Sequence, residues 1–417
     1  MKDLSRDTRL VLAGQAVRAF AYGLGAILLG RTLALLHLGG IRIGLVLAAT
    51  VAGTAFASVM VARHGDRFGR RRSYALLYVL LAGTGVVFAV ADVAWPLMLA
   101  GLIGALSTEV IESGPFTSLE QAMLATDLSG RRRVHGFGIY NAVAALAGSL
   151  GALAAALPEQ ARAVWTAAPP DQRWFLLFVP VGLVGALLAS RLSPAVEAET
   201  GPDVAASGLT RSRGTVTRLS ALFAVDSFAG GIAVSAFIAY WLTSHFHASA
   251  TTLAFTFAVL GLVQTASFLV APWLADRIGL LNTMVFTHLP SDVLLAAVAF
   301  APTLQVAIAL LVARTALSQM DVPTRQAYVM ALVDPEERTA AAAYTGTARY
   351  VSRPFGPPVA AAAQTIAVGL PFLLSGAIKA GYDITLWVWF RRVPLPQSET
   401  APGTGPVPPT QPAEESS

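Results

Sequence analysis

Gly65-Asp66-Arg67-Phe68-Gly69-Arg70-Arg71-Arg72 is a strongly basic turn set between two long apolar segments. An echo stands 210 residues later, Ala275-Asp276-Arg277-Ile278-Gly279-Leu280, again between apolar segments. Glycine gives a tight turn permissive backbone, and aspartate accepts hydrogen bonds from a helix start or pairs with arginine. An Asp-Arg-x-Gly turn that recurs in register implies an internal repeat.

Composition tells what surrounds the turns. The 417 residues are 55% hydrophobic and only 13% charged, with mean hydropathy +0.62. A soluble domain carries about 25% charged residues, so this chain has too much apolar surface to hide from water and reads as a polytopic membrane protein. Cysteine is absent, which excludes disulfides, thiolate metal sites and cysteine nucleophiles. The N-terminus leads into a full-length span without a small-residue cleavage site and is not read as a signal peptide.

Each crossing needs about 20 mostly apolar residues. Spans are expected near 10–35, 43–61, 73–91, 95–123, 136–157, 174–192, 219–243, 251–274, 282–300, 303–328, 339–363 and 369–390. The expected domains are an N-terminal six-helix bundle (1–192), a polar cytoplasmic linker (193–218), a C-terminal six-helix bundle (219–393) and a Pro-, Thr- and Glu-rich disordered tail (394–417). With both termini inside, the loops between alternate spans hold most of the Lys and Arg, while the outer loops hold only Arg42, Arg162 and Arg173. That is the positive-inside pattern. The sequence pI of 9.7 therefore reports topology, not nucleic-acid binding.

The repeat extends beyond the turn. At an offset of 208, Arg18-Ala-Phe20-Ala-Tyr-Gly23 aligns with Asp226-Ser-Phe228-Ala-Gly-Gly231. At 205, Glu120-Gln121-Ala122 aligns with Arg325-Gln326-Ala327, and Gly151 with Gly356. The turn itself resembles the signature loop between helices 2 and 3 of the major facilitator superfamily, G-x-x-x-D-R-x-G-R-R: Asp66, Arg67, Gly69, Arg70 and Arg71 match, with Ala62 at the leading Gly. In the echo Pro272 takes that position and the final basic pair is missing. The resemblance implies an all-α membrane protein of twelve transmembrane helices, in two pseudo-twofold-related six-helix bundles, that rock around a central site. It also implies a cytoplasmic gate in which Asp66, Arg67, Gly69 and Arg70, with Asp276, Arg277 and Gly279, bridge the two halves.

Ionisable residues at bilayer depth are costly and by default face a cavity with a partner. Arg18 corresponds to Asp226, Glu109 to Arg314 and Glu120 to Arg325, so repeat-equivalent positions carry opposite charges. Arg18 lies about nine residues, roughly 13 Å at 1.5 Å per residue, from the inner end of its span. At that depth it is expected to meet Glu112 or Glu109, and Asp226 to meet Arg314. Asp226, Glu109 and Glu112 are the proton-coupling candidates. Arg18, Phe20, Tyr22, Phe228, Arg314, Arg349 and Arg353 are the substrate-cavity candidates; Phe237, Tyr240 and Trp241 join the apolar wall, with an interfacial belt as the alternative for Tyr240 and Trp241. The structural readings stay open beside these: ion pairs that only fix register, Arg349 held by Asp321 or Asp292, Arg353 supporting carbonyls freed by Pro354 and Pro357, and Lys379–Asp383 as an i,i+4 pair. His288-Leu-Pro290-Ser-Asp292 is expected to kink its span, with Asp292 as a proton-relay candidate.

No P-loop, HExxH or GxSxG motif is present, so no ATP-driven site, enzyme, metal or cofactor is expected. The reading is a secondary transporter of a small molecule, coupled to protons by antiport and directed to efflux. Uptake or exchange of an organic anion, and a non-transporting sensor or assembly partner, are the alternatives. The expected setting is a bacterial inner membrane, with both termini cytoplasmic and the chain a monomer.

Overall fold

The computed structural model describes residues 5–36, 38–110, 114–127, 130–197, 209–334 and 337–393, without the side chains of 125–138 and 339. Glu112, much of the expected linker and the tail 394–417 lie outside the described residues. The regular structure is helical, with no strand among the described residues. The first half comprises α1 (Arg6–Leu35), α2 (Gly40–Phe68), α3 (Arg70–Val90), α4 (Ala94–Ile103), α5 (Pro115–Asp127), α6 (Gly130–Ala154), α7 (Leu157–Val164) and α8 (Phe178–Ser190). The second comprises α9 (Arg213–Ile232), α10 (Ser235–Phe246), α11 (Ala250–Ile278), α12 (Leu280–Val298), α13 (Leu304–Ser318), α14 (Asp321–Leu332), α15 (Arg338–Ser352), α16 (Gly356–Ile366) and α17 (Leu370–Phe390).

Local chemistry sets the ends. The hydroxyls of Ser5, Ser249 and Thr303 accept from the amides of Thr8, Thr252 and Val306, capping α1, α11 and α13. Gly69 (φ +98°) and Gly279 (φ +85°) separate α2 from α3 and α11 from α12. L side chains rarely adopt such φ values, so the two signature turns share one glycine-dependent geometry. Nine stretches of the described chain are long and apolar enough to cross a membrane by length and composition.

Several passes expected to be continuous are broken near mid-depth. The pass over 95–123 stops at Ile103, runs non-helical through 104–110 and restarts at Pro115. Gly104 lies tight against Thr84, and proline has no amide to continue a helix. The seventh pass breaks at Ala233 and Val234. The eleventh narrows to a 3-10 turn at Arg353–Phe355, beside Pro354 and Pro357. Such backbone is tolerated at membrane depth where it lines a cavity. Pro290 does not break its pass: α12 runs through it.

The packing repeats as the sequence does. α1 packs on α6 and α8, α2 on α4, and α3 on α8; correspondingly, α9 packs on α15 and α17, α11 on α13, and α12 on α17. Across the halves α1 meets α10, α6 meets α11 and α2 meets α16. Exchange of the halves interconverts the last two contacts, as a pseudo-twofold requires. Close backbone crossings use the repeat-equivalent glycines: a Cβ on Gly151 would collide with the Phe20 backbone, one on Gly23 with Gly148, and one on Gly356 with Gly231. Among the described residues, the bonds between the halves lie around the broken passes or toward the end away from the termini. There Arg31 donates to the Ala248 carbonyl (3.1 Å) and the Thr251 amide to Glu159 (3.0 Å).

At the termini end, Glu337 fastens the start of α9. It accepts from the Thr210 hydroxyl and amide (2.7 Å each) and from the amides of Arg211 and Ser212 (2.9 Å each). These hydrogen bonds, led by the Thr210 hydroxyl, hold its carboxyl well below the usual carboxylate range.

Two outcomes follow from this packing. Gly356→Val, which forces a branched side chain into the Gly231 backbone, should cost about 1–3 kcal/mol and lower the thermal midpoint of the detergent-solubilised chain by several degrees. Because folding depresses the Glu337 carboxyl, its stabilisation is complete above the ordinary value of about 4.3 and fades as pH falls below it. The thermal midpoint of wild type should therefore exceed that of Glu337→Gln at neutral pH, and the gap should narrow below about pH 4.

Candidate functional site

A cavity of about 180 Å³ lies between the halves where the broken passes meet. Glu109 faces it from the first half; Asp226, Asp321, Arg314, Arg325, Arg349, Arg353 and Lys379 face it from the second, with His288. Behind His288, buried Asp292 and Asp383 complete the set. Five carboxylates thus stand with five fixed cations, and charge is balanced when the histidine is neutral.

Asp226, only 3% exposed, is the centre of this set. Its Oδ1 receives Lys379 of α17, while its Oδ2 lies 3.1 Å from Arg349 of α15 and 3.6 Å from Arg325 of α14. Arg325 also binds Asp321 at 2.7 Å. The expected Asp226–Arg314 pair is therefore replaced, and Lys379 reaches Asp226 across the bundle instead of Asp383 on its own helix. Arg314 makes no hydrogen bond or ion pair among the described residues, and its Nε is buried without a partner.

Apart from Glu109, the first half buries its charge outside the cavity. Arg18 donates through Nε and Nη2 to Glu120 at 3.1 and 2.9 Å, and Tyr74 and Tyr140 donate to the same carboxylate at 2.8 and 2.7 Å. Arg18 therefore meets Glu120 in place of Glu109. The reason is the break in the fourth pass: non-helical backbone shifts the depth of every residue beyond it, which counting at 1.5 Å per residue cannot follow. Arg18–Glu120 and Asp226–Arg325 are the same pair of repeat positions with the charges exchanged.

Tyr22 is buried beside Arg18 and donates to the Ala105 carbonyl at 2.7 Å. Phe20 lines a shallow apolar groove with Val17, Leu150 and Val181. Phe228 packs against the core, not the cavity. Phe237 and Trp241 are buried, and Trp241 donates at 2.8 Å to the Val368 carbonyl in the connection between α16 and α17. Glu109 accepts from the amide and hydroxyl of Ser235 at 3.2 Å and lies 3.4 Å from Arg353. Arg353 thus spans the two halves. Glu112 lies outside the described residues.

In this conformation the signature turns do not meet each other. Arg70 binds Asp66 of its own turn at 2.7 Å, and the amides of Arg70 and Arg71 donate to Glu197 at the end of the first half. Arg67 and Asp276 are exposed, and Arg277 stacks 4.0 Å from the Trp273 ring. The sequence reading passed over Ser235, Gln264 and Gln319, which also reach the cavity. Only Gly230-Gly231, ahead of the break, hinted at the first.

Paired helical halves around a charged internal cavity define a membrane-transport scaffold. The sequence profile of the Major Facilitator Superfamily matches residues 11–357 and 219–414. The chain belongs to that superfamily of membrane transporters. An uncharacterized membrane protein of Saccharomyces cerevisiae, YJR124C, is 23% identical, with 93% of this chain and 95% of that protein covered. The fold is shared with an auto-inhibited POT family peptide transporter (TM-score 0.74, 12% identity, 95% and 99% covered). It is also shared with the xylose transporter XylE from E. coli in a partially occluded inward-open conformation (0.69, 14%, 95% and 100%).

Breaking one partner of a buried pair leaves an uncompensated charge, at about 3–5 kcal/mol. Glu120→Gln should therefore destabilise strongly in thermal unfolding, while Arg18→Leu with Glu120→Leu should recover part of the loss. Equal loss in both variants would show that the pair is not what Glu120 contributes.

Proposed function

We propose that this chain is a secondary active transporter that carries a small organic anion through the central cavity by alternating access, coupled to protons. Arg314 carries the reading. A guanidinium buried without a partner is costly, and here it stands in a cavity whose carboxylates are bound to other groups. A carboxylate or phosphate on the substrate supplies the missing partner, in bidentate fashion. The cavity is smaller than the ~300–1,000 Å³ of drug-sized pockets, which suits a small solute.

Of the activities left open by the sequence, anion movement is therefore favoured over export of an unspecified molecule, and transport over a sensor with a fully paired core. In this reading the chain crosses a bacterial inner membrane twelve times as a monomer, with both termini cytoplasmic. The present conformation, closed at the end away from the termini, is one end-point of the cycle. The expected domains 1–192 and 219–393 are its rocking bodies, and the signature turns form their gate in the opposite state.

A thermal-shift series with small carboxylates and phosphates against neutral sugars and nucleosides tests this. A ligand at 100 times its Kd stabilises by about 2.7 kcal/mol. Anions should raise the midpoint of wild type and not of Arg314→Gln, which loses no internal partner. Stabilisation by neutral solutes alone, equal in both proteins, would sink the reading.

A further inference from the structure

Deep in the second half, behind the cavity wall, α12 and α17 bring three titratable side chains together. His288 Nδ1 lies 2.9 Å from Asp383 Oδ2 and 3.3 Å from Asp292 Oδ2. Asp292 is 0% exposed, Asp383 1% and His288 4%. Beyond the 3.3 Å approach of His288, neither oxygen of Asp292 has a hydrogen-bond donor among the described residues. Two carboxylates thus share one imidazole, and one of them lacks the donors a buried carboxylate needs. The other side of the ring faces the cavity, with Nε2 3.9 Å from Asp321 Oδ2.

We propose that His288, Asp292 and Asp383 form the proton-binding site of the transport cycle, with His288 as the conductor between cavity and carboxylates. The step balances with no further reactant. A hydronium ion in the cavity gives its proton to Nε2 and leaves as water while the Nδ1–H bond breaks toward Asp383 or Asp292, so that the imidazole stays neutral and the pair shares one carboxylic acid. The acid O–H then supplies the donor that Asp292 lacks.

The surroundings favour this cluster over Asp226, which already faces Lys379, Arg349 and Arg325; a proton there would be a fourth positive charge at one carboxylate. The groups that face the cluster are Lys379 and Tyr382 of α17, Asp321 of α14 (itself bound to Arg325), Arg314 of α13 and Asp226 of α9. One proton on the balanced set of five carboxylates and five cations leaves a single positive charge. An anion at Arg314 cancels it, so proton and substrate are held together without net charge in the membrane.

The assignment deepens the transport reading and rests on it for the word transport alone. The experiment needs no substrate, so the two fail separately. The full chain is reconstituted in lipid and titrated under infrared difference spectroscopy, which reports the carbonyl stretch of a protonated, buried carboxylic acid. Wild type should gain such a band on acidification. Asp292→Asn with Asp383→Asn should abolish it, each single variant should move or weaken it, and Asp226→Asn should leave it in place. The single variants keep the test decisive should the double variant not fold. A band that survives the double variant, is unmoved by either single one, or is lost in Asp226→Asn overturns the proposal. So does a thermal shift by micromolar zinc or manganese that requires Asp292, since the cluster would then hold a divalent cation.

Discussion

A carboxylate in a medium that cannot solvate it must be surrounded by cations or lose its charge, and Asp226 is held by three from three different helices. α9 supplies the acid, and α14, α15 and α17 supply Arg325, Arg349 and Lys379. The second half is thereby drawn together around a point that also lines the cavity. Apolar packing alone would not fix these helices in register, because lipid tails are as apolar as their side chains. Small residues complete the restraint: Gly231 against Gly356 lets α9 approach the eleventh pass at backbone distance.

The two halves solve one problem in opposite ways. In the first, Arg18 and Glu120 are paired, braced by Tyr74 and Tyr140, and closed off from the cavity. In the second, the equivalent Asp226 and Arg325 stand open to it and share their bonds with Lys379, Arg349 and Asp321. A saturated pair is a static brace. A network whose members each have more than one partner can exchange partners at lower cost, since no charge need be left bare. The second half thus turns most of its buried charged groups toward the cavity, while the Arg18–Glu120 pair of the first stays apart from it.

Much of this was legible in the sequence. Composition gave the membrane, the Asp-Arg-x-Gly turns gave the repeat, and the offsets of 208 and 205 residues named the equivalent charges. The pairings were not legible, for a definite reason. Depth was counted along continuous helices, whereas the fourth pass gives up its helix over 104–110 and the seventh at Ala233. Glu120, which counting did not match with Arg18, binds it in the buried core. Lys379 and Asp383, four apart on α17, looked like partners, yet each turns to a different helix, to Asp226 of α9 and His288 of α12. Sequence spacing finds neighbours on one helix; it does not rank them against stronger partners on the next.

Three of the breaks converge on one carboxylate. Glu109 lies in the break of the fourth pass, Ser235 follows that of the seventh, and Arg353 opens that of the eleventh; Glu109 binds both of the others. The Ser235 amide is an orphan donor at the start of α10, where a negative charge is favoured. Separation of the halves at this depth breaks all these contacts together and exposes them to cavity water, which can replace each lost hydrogen bond. A joint made of polar contacts at a wet boundary opens at far lower cost than one made of buried apolar surface. In the proposed alternating-access cycle the yielding point therefore lies at the broken helices, with the glycine crossings and the Arg18–Glu120 brace holding each half together.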